Sequence, residues 1–208
     1  TEELLSDAPR LANRLTVQAA RAIRYAAGEA IMWGDGVGKP LGFMVGAAKV
    51  TVAKESGQAA DTIVAANVLK AYSRLLGGGS RAFWAANRDV VPQIAVMTIG
   101  NQPMWLSANQ GLQNAPQGTL LGLPVIFLDH AKTVGDEGDL VLVDPDGYYA
   151  ATKQGGGIEF ASSIHLYFDY AIQAFRWTFR LGGQPYLSAP MSPAKGASTR
   201  SHFVAIAD

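Results

Sequence analysis

The chain contains no cysteine. That absence rules out disulfides, thiol catalysis and cysteine-based zinc sites. Charge is also scarce: 16% of the 208 residues are charged, against about a quarter in ordinary soluble domains. Neither sign dominates, with 17 Lys and Arg balanced by 17 Asp and Glu. A net charge of zero supplies no global attraction to nucleic acid or to an anionic membrane. No apolar run approaches the roughly 18 residues of a membrane-spanning helix. The opening Thr1-Glu2-Glu3-Leu4-Leu5 lacks an initiator methionine and is unlike a signal peptide, so the chain is expected to be a fragment or a processed product.

What is abundant is apolar: 49% of the residues are hydrophobic, with 23 glycines. A chain of this length makes one or two domains and can bury a substantial core. So little charge on so apolar a chain fits a surface partly committed to protein–protein contact, and equally a compact alanine-rich globule.

The densest local signal is Gly34-Asp35-Gly36-Val37-Gly38-Lys39-Pro40-Leu41-Gly42. Tested as a phosphate-binding loop, it fails. A P-loop requires a leading glycine and a Ser or Thr after Gly-Lys, between a strand and a helix. Here those places hold Trp33 and Pro40. The dinucleotide fingerprint fails as well, because Lys39 stands at the third glycine and the loop follows a helix. Gly34 reads instead as a helix C-cap, and Pro40 as the residue that keeps the departing chain extended.

The periodicity predicts a long helix from Asp7 to Trp33. Asp7 serves as N-cap, Pro9 sits in the first turn, and Leu11, Leu15, Ala19, Ala22, Ile23, Ala26, Ala30 and Ile31 recur at three- and four-residue spacing. Such a helix is roughly 40 Å long and needs a surface to lie along. A strand is expected at 48–53 and a polar linker at 54–60. A helix then follows from Asp61 or Thr62 to Leu76, with Val64, Val68, Leu69, Tyr72 and Leu75 on its apolar face, ended by Gly77-Gly78-Gly79. A buried strand at 81–86 leads into a helix from Asn87 to Met97. Residues 99–118 read as a long loop with a job or a partner.

From Pro124 the pattern turns to β. Strands are expected at 125–128 and 140–143, with a tight turn at Asp144-Pro145-Asp146-Gly147. Segments 148–153 and 158–164 flank Gly155-Gly156-Gly157 and read as a hairpin. A strand is expected at 171–180, an extended stretch at 182–201 and a last strand at 203–206. The order is α+β rather than regular βαβ alternation.

Five motifs in this order carry a resemblance. Ala30-Ile31-Met32-Trp33-Gly34-Asp35-Gly36 resembles the "a-i-l-n-G-d-G" exit of the spine helix in tailed-bacteriophage major capsid proteins of the Hong Kong 97 type. Leu120-Leu121-Gly122-Leu123-Pro124-Val125 resembles their "L-l-G-y-P-V". Leu140-Val141-Leu142-Val143-Asp144 stands where they have "i-x-f-G-D-f", and Tyr148-Tyr149-Ala150 where they have "y-x-i". Phe175 to Gly183 resembles "f-r-x-x-x-R-x-G-G".

The resemblance implies an α+β capsid-type fold. A peripheral domain of about 1–60 and 148–202 would carry the spine helix and a long β-ribbon. An axial domain of 61–147 and 203–208 would carry a small mixed sheet with flanking helices. It implies a structural subunit of a phage or prophage head, not an enzyme, that self-assembles through pentamers and hexamers into an icosahedral shell enclosing DNA. Implied partners are further copies, a scaffold or maturation protease, and packaged DNA held non-specifically; no membrane and no cofactor are implied. The implied location is the virion, after assembly in the bacterial cytoplasm. A gene-transfer-agent capsid and an encapsulin-like shell are the related alternatives. Members also carry an N-terminal arm and an extended loop ahead of the spine helix, which this stretch of sequence does not include.

Candidate contact residues follow. Arg10, Arg14, Arg21 and Arg24 line the long helix and read as contacts to phosphates, to neighbouring subunits, or as a solvated face. Met104 and Trp105 read as interface anchors or as core. Glu159 and Asp169 are single acids in β-patterned segments, expected to pair with Arg176 or Arg180. Gly34, Asp35, Gly36, Gly38, Pro40 and Gly42 form the structural loop.

Conventional chemistry finds little support. His130, His165 and His202 lack ligand-spaced neighbours, apart from Asp129. Asp136, Glu137 and Asp139 miss the calcium-loop pattern. Ser80, Ser107 and Ser162 sit in no nucleophile elbow. The contrasting reading is an α+β enzyme with its substrate site beneath the glycine loop, which requires a concave pocket there.

Overall fold

The computed structural model describes residues 10–106, 118–155 and 157–207. Helix α1 (Arg10–Trp33) opens the described chain, and the expected cap at Asp7 and Pro9 lies outside those residues. Then come β1 (Val50–Val52), α2 (Ala65–Ser73), β2 (Phe83–Ala86), α3 (Val91–Ala95), β3 (Thr98–Ile99), β4 (Gln102–Pro103) and β5 (Trp105–Leu106). The second half contributes β6 (Thr119–Leu120), β7 (Leu123–Phe127), β8 (Leu140–Val143), β9 (Tyr148–Thr152), β10 (Glu159–Ser163), β11 (Ala174–Thr178), β12 (Leu181–Pro185) and β13 (Phe203–Ile206).

Seven strands make one mixed sheet in the order β1-β13-β8-β2-β7-β6-β5. β1 runs parallel to β13 and β2 parallel to β7, while β8 is antiparallel to both β13 and β2. The central strands β8 and β13 are buried along their whole length. That explains why Leu140-Val141-Leu142-Val143 is an unbroken apolar run rather than an alternating one: both faces of the sheet are covered. Trp84, Ala86, Leu140, Leu142, Val204 and Ile206 face a core shared with Val68 and Ala71 of α2 and with Val90 and Ile94. Ala85, Val141, Val143, Phe203 and Ala205 face a second core completed by Met32, Phe43 and Met44. The Trp84 indole N–H donates to the Leu120 carbonyl at 3.0 Å, so this large buried ring leaves no polar atom stranded.

Several local expectations are corrected. α2 begins at Ala65, not at Asp61, because Asp61 adopts a left-handed φ of 58°. The Val64 N–H is instead held by the Asn67 carboxamide oxygen at 3.0 Å. The helix stops at Ser73, before the three glycines. Leu76 donates its N–H to Ser201 O at 2.9 Å and Ser201 donates to Arg74 O at 3.1 Å, so a tertiary pairing takes over from the helical ladder. Its buried face is Asn67, Val68 and Ala71, whereas Leu69 and Tyr72 are exposed. The helix expected from Asn87 to Met97 divides into a 3-10 turn, Arg88–Val90, and the five-residue α3. Asn87 does cap this start, accepting from the Asp89 N–H at 3.1 Å.

The turn at Leu121-Gly122 joins β6 to β7 with both residues at positive φ, 51° and 79°. That is the two-residue hairpin geometry matched to strand twist.

The hairpin expected around Gly155–Gly157 is absent. β9 pairs with β12 and β10 pairs with β11, both antiparallel. The two ladders form one long ribbon, turned at its far end by the 3-10 segment His165–Tyr170 and by Ala171 at φ 50°. Phe179 and Arg180 alone separate β11 from β12, whereas β9 and β10 lie further apart in the sequence, so Gly155 and Gly157 belong to a bulge inside one arm and not to the turn.

Candidate functional site

The glycine loop is built by close approach of backbone to backbone. Gly34 donates to Ala30 O at 2.9 Å and Gly42 donates to Gly34 O at 2.8 Å. Phe43 and Met44 then donate to Ile31 O and Met32 O, both at 3.0 Å, so the returning chain caps carbonyls that the end of α1 leaves open. A methyl group on Gly34 would lie 2.1 Å from Pro40 O, and one on Gly42 would lie 2.5 Å from Met32 O. Gly36 is glycine for another reason: its φ is 81°. At the tip Asp35 accepts from the Val37 N–H at 3.0 Å and pairs with Lys39 at 3.5 Å. The Val37 N–H, aided by Lys39, holds the Asp35 carboxyl below its usual range.

This loop ties the spine helix to the ribbon. Leu41 donates its N–H to Gly183 O at 2.8 Å, and the Tyr148 hydroxyl donates to Leu41 O at 3.0 Å. Gly183 has to be glycine, since a Cβ there would sit 2.7 Å from the Tyr148 ring. Burial of Tyr148 pushes its phenol above the ordinary value. At the sheet side the Trp33 indole donates to His130 O at 2.7 Å, and the His130 ring fills the notch left by Gly28, its centroid 4.3 Å from that of Tyr25 with the rings tilted by 55°.

The ribbon has two unlike faces. Phe160, Phe175 and Trp177 form one aromatic cluster with ring centroids 5.5 to 5.9 Å apart. Glu159 and Arg176 lie on the opposite face, following the pairing of Glu159 with Thr178 and of Ala161 with Arg176. At the tip, Phe168 is 72% and Tyr170 75% exposed. Trp177 and Phe179 meet Ile23, Ala26, Ala27 and Ala30 of α1 across an open groove of about 410 Å³, and the Trp177 indole N–H is buried there without a partner. Further up the helix Val17 is 51% exposed.

The candidate residues do not converge on one point. Arg14, Arg21 and Arg24 are exposed along α1, and the side chain of Arg10 lies outside the described residues. Met104 belongs to the sheet core, and Trp105 packs against it. The Glu159 expectation is corrected. Its ion pair is with Lys153, which with the fields of Arg180 and Arg176 lowers its carboxyl below the ordinary range. Asp169 is exposed in the ribbon tip. Ser107 lies outside the described residues.

Beneath the glycine loop the structure holds a hollow of about 170 Å³ lined by Ala26, Glu29, Ala30, Trp33, Gly34 and Lys39, with no histidine, serine or second carboxylate. Elsewhere His202 pairs with the buried Asp144 at 3.1 Å, and Glu137 is occupied by Lys49 at 2.8 Å and the Thr51 hydroxyl at 2.6 Å. Among the described residues no three His, Asp or Glu side chains gather to hold a metal ion, and no helix is long and apolar enough to cross a membrane.

Sequence reasoning singled out the loop but missed the tip aromatics Tyr167, Phe168 and Tyr170, and missed Tyr148 as the tie. The crowding of aromatics between residues 160 and 179 was the available signal for the first. Nothing local marks the second.

A long helix, a seven-stranded sheet and a projecting two-stranded ribbon together define a capsid-type fold. The solved chains that share it include two capsids. The capsid of an empty GTA particle, computed with C5 symmetry, is 20% identical with a TM-score of 0.66, covering 94% of this chain and 65% of that one. The capsid of a native GTA particle, also computed with C5 symmetry, is 20% identical with a TM-score of 0.68, covering 99% and 68%. A model of the phage capsid family matches residues 1–196, and the chain belongs to that family. It spans about two thirds of the length of the GTA capsid chains. No curated protein matches it significantly.

Proposed function

We propose that this chain is the shell-forming part of a phage or prophage head subunit, or of a gene-transfer-agent capsid, and that it acts by binding further copies of itself. One observation carries the reading. The ribbon projects from the core with Phe160, Phe168 and Tyr170 turned to solvent, an apolar surface that a lone soluble chain would have no reason to keep. In this reading α1 and the ribbon form the peripheral part, expected at 1–60 and 148–202, and the sheet forms the axial part. β1 falls within the first range yet serves as the edge strand of the axial sheet. Arg14, Arg21 and Arg24 meet acidic surfaces of neighbouring copies or the phosphates of enclosed DNA, and Trp105 lies beside the axial contact. Scaffold and protease partners, the virion location and assembly in the host cytoplasm belong to the same reading. The hollow below the glycine loop does not favour the enzyme alternative, since its polar groups are one carboxylate and one ammonium.

Electron microscopy of the protein expressed with its natural flanking sequence tests this. Rings or closed shells are expected, and their absence under all assembly conditions would sink the proposal. Residues 1–208 alone are expected to sediment as a monomer or weak oligomer.

A further inference from the structure

We infer that the free edge of the main sheet, strand β1, is a docking slot for an extended acidic peptide segment of another polypeptide. β1 ends the sheet order and pairs only with β13 among the described residues. Ala207 donates to Val52 O at 2.9 Å, which fixes Val52 as the residue whose peptide groups face β13. By the alternation of a strand, those of Thr51 face outwards. Outside the strand ladders, no backbone hydrogen bond among the described residues reaches Thr51 or Ala53. An open edge of this kind is a template for one more strand.

Beside the edge lies an open hollow of about 480 Å³, lined by Thr51, Val52, Ala53 and Lys54 on one side and by Lys70 and Ser73 of α2, the following Arg74, and Ser198 on the other. Its charge selects the occupant. Lys54 has no ion-pair partner among the described residues. Arg74 bonds the Thr199 hydroxyl at 2.7 Å, which leaves its charge uncompensated. Lys70 pairs with Glu55 at 2.5 Å. Glu137, on the Thr51 side, is already neutralised by Lys49. Lys70 and Glu55 offset each other, so the slot keeps two uncompensated cations, Lys54 and Arg74. The main chain of an added strand would bond Thr51, and its acidic side chains would meet Lys54 and Arg74. A DNA duplex has no peptide backbone to add to the edge, and the uncompensated charges of Lys54 and Arg74 beside it favour an extended segment that carries carboxylates.

The test uses the chain as described, with two synthetic nine-residue probes, one alternating valine and glutamate and one alternating valine and lysine, followed by fluorescence anisotropy. The acidic probe is expected to bind and the basic one not to. Lys54→Glu should weaken binding about three- to tenfold, as expected for reversing one exposed charge pair. Thr51→Pro should abolish it, because it deletes the outward N–H while leaving the bonds to β13, a substitution that sheet edges tolerate. If Thr51→Pro fails to fold, amide hydrogen exchange on the unaltered chain decides: the acidic probe must slow exchange at Thr51 and Ala53. Equal binding of both probes, protection elsewhere, absence of binding, or binding of a DNA duplex that competes with the acidic probe and ignores Thr51→Pro would each overturn the inference.

Discussion

The hydroxyl of Tyr148 donates to the carbonyl of Leu41 at 3.0 Å, joining the first residue of the ribbon to the last turn of the glycine loop. These residues are 107 positions apart, and through them the spine helix, the loop and the ribbon share one anchor.

Tyr148→Phe keeps the ring and deletes that bond. A loss of about 1 kcal/mol in urea unfolding is expected. The pH dependence has a definite sign. Burial raises the phenol above 10.0 in the folded chain, so the contribution is complete below the unfolded value near 10.0 and is lost as pH rises through the folded one. The unaltered chain should lose stability in that alkaline window, and Tyr148→Phe should lose less. Equal alkaline slopes would refute the assignment.

Two glycines of the loop separate space from conformation. A methyl on Gly34 meets Pro40 O at 2.1 Å, so Gly34→Ala should cost at least about 3 kcal/mol or prevent folding. Gly38 has φ 69° and open space around its Cα, so Gly38→Ala should cost only about 1 kcal/mol of backbone strain. Thermal melts of the two variants give the comparison.

Trp84→Phe leaves the Leu120 carbonyl buried without its donor. A destabilisation of about 1–3 kcal/mol is expected by chemical denaturation, with no change in the length of the transition baseline.

Glu137 gives the acid limb. Burial raises its carboxyl, but Lys49 and the Thr51 hydroxyl outweigh that and hold it below 4.5. Its contribution is therefore present above 4.5 and is lost as pH falls through the lower, folded value. Urea midpoints measured from about pH 6 down to about pH 3 should fall less steeply in Glu137→Gln than in the unaltered chain.

For assembly, charge reversal at Arg21 and Arg24 together should leave circular dichroism unchanged and reduce particle yield by electron microscopy. Phe168→Ser with Tyr170→Ser should act in the same direction through the ribbon tip. Normal particles from both double variants would remove these surfaces from the subunit contact.

Much of this fold was legible in the residues. The α1 repeat ends at Trp33 as its spacing requires, and Leu140–Val143 and Phe203–Ile206 match their strands at both ends, because a fully buried strand must be apolar at every position. The exit loop was legible too, since Gly34 and Gly42 are close backbone approaches that only glycine permits. The candidate surface was less so. Glu159 chose Lys153 rather than an arginine, and Met104 turned inwards.

By itself the sequence determined where apolar periodicity begins and stops, and so the long helix, the buried strands and the capsid-type order of elements. Only the tertiary structure decided the partners. Gly155–Gly157 looked like a turn because glycine frees the backbone in a turn and in a bulge alike. What made it a bulge was the pairing of β9 with β12 and of β10 with β11, distant in sequence and set by cross-strand contacts. The end of α2 was settled in the same way, by Ser201 and not by the glycines that follow it. Local residues set what a segment can be, and long-range hydrogen bonds select which of those forms it takes.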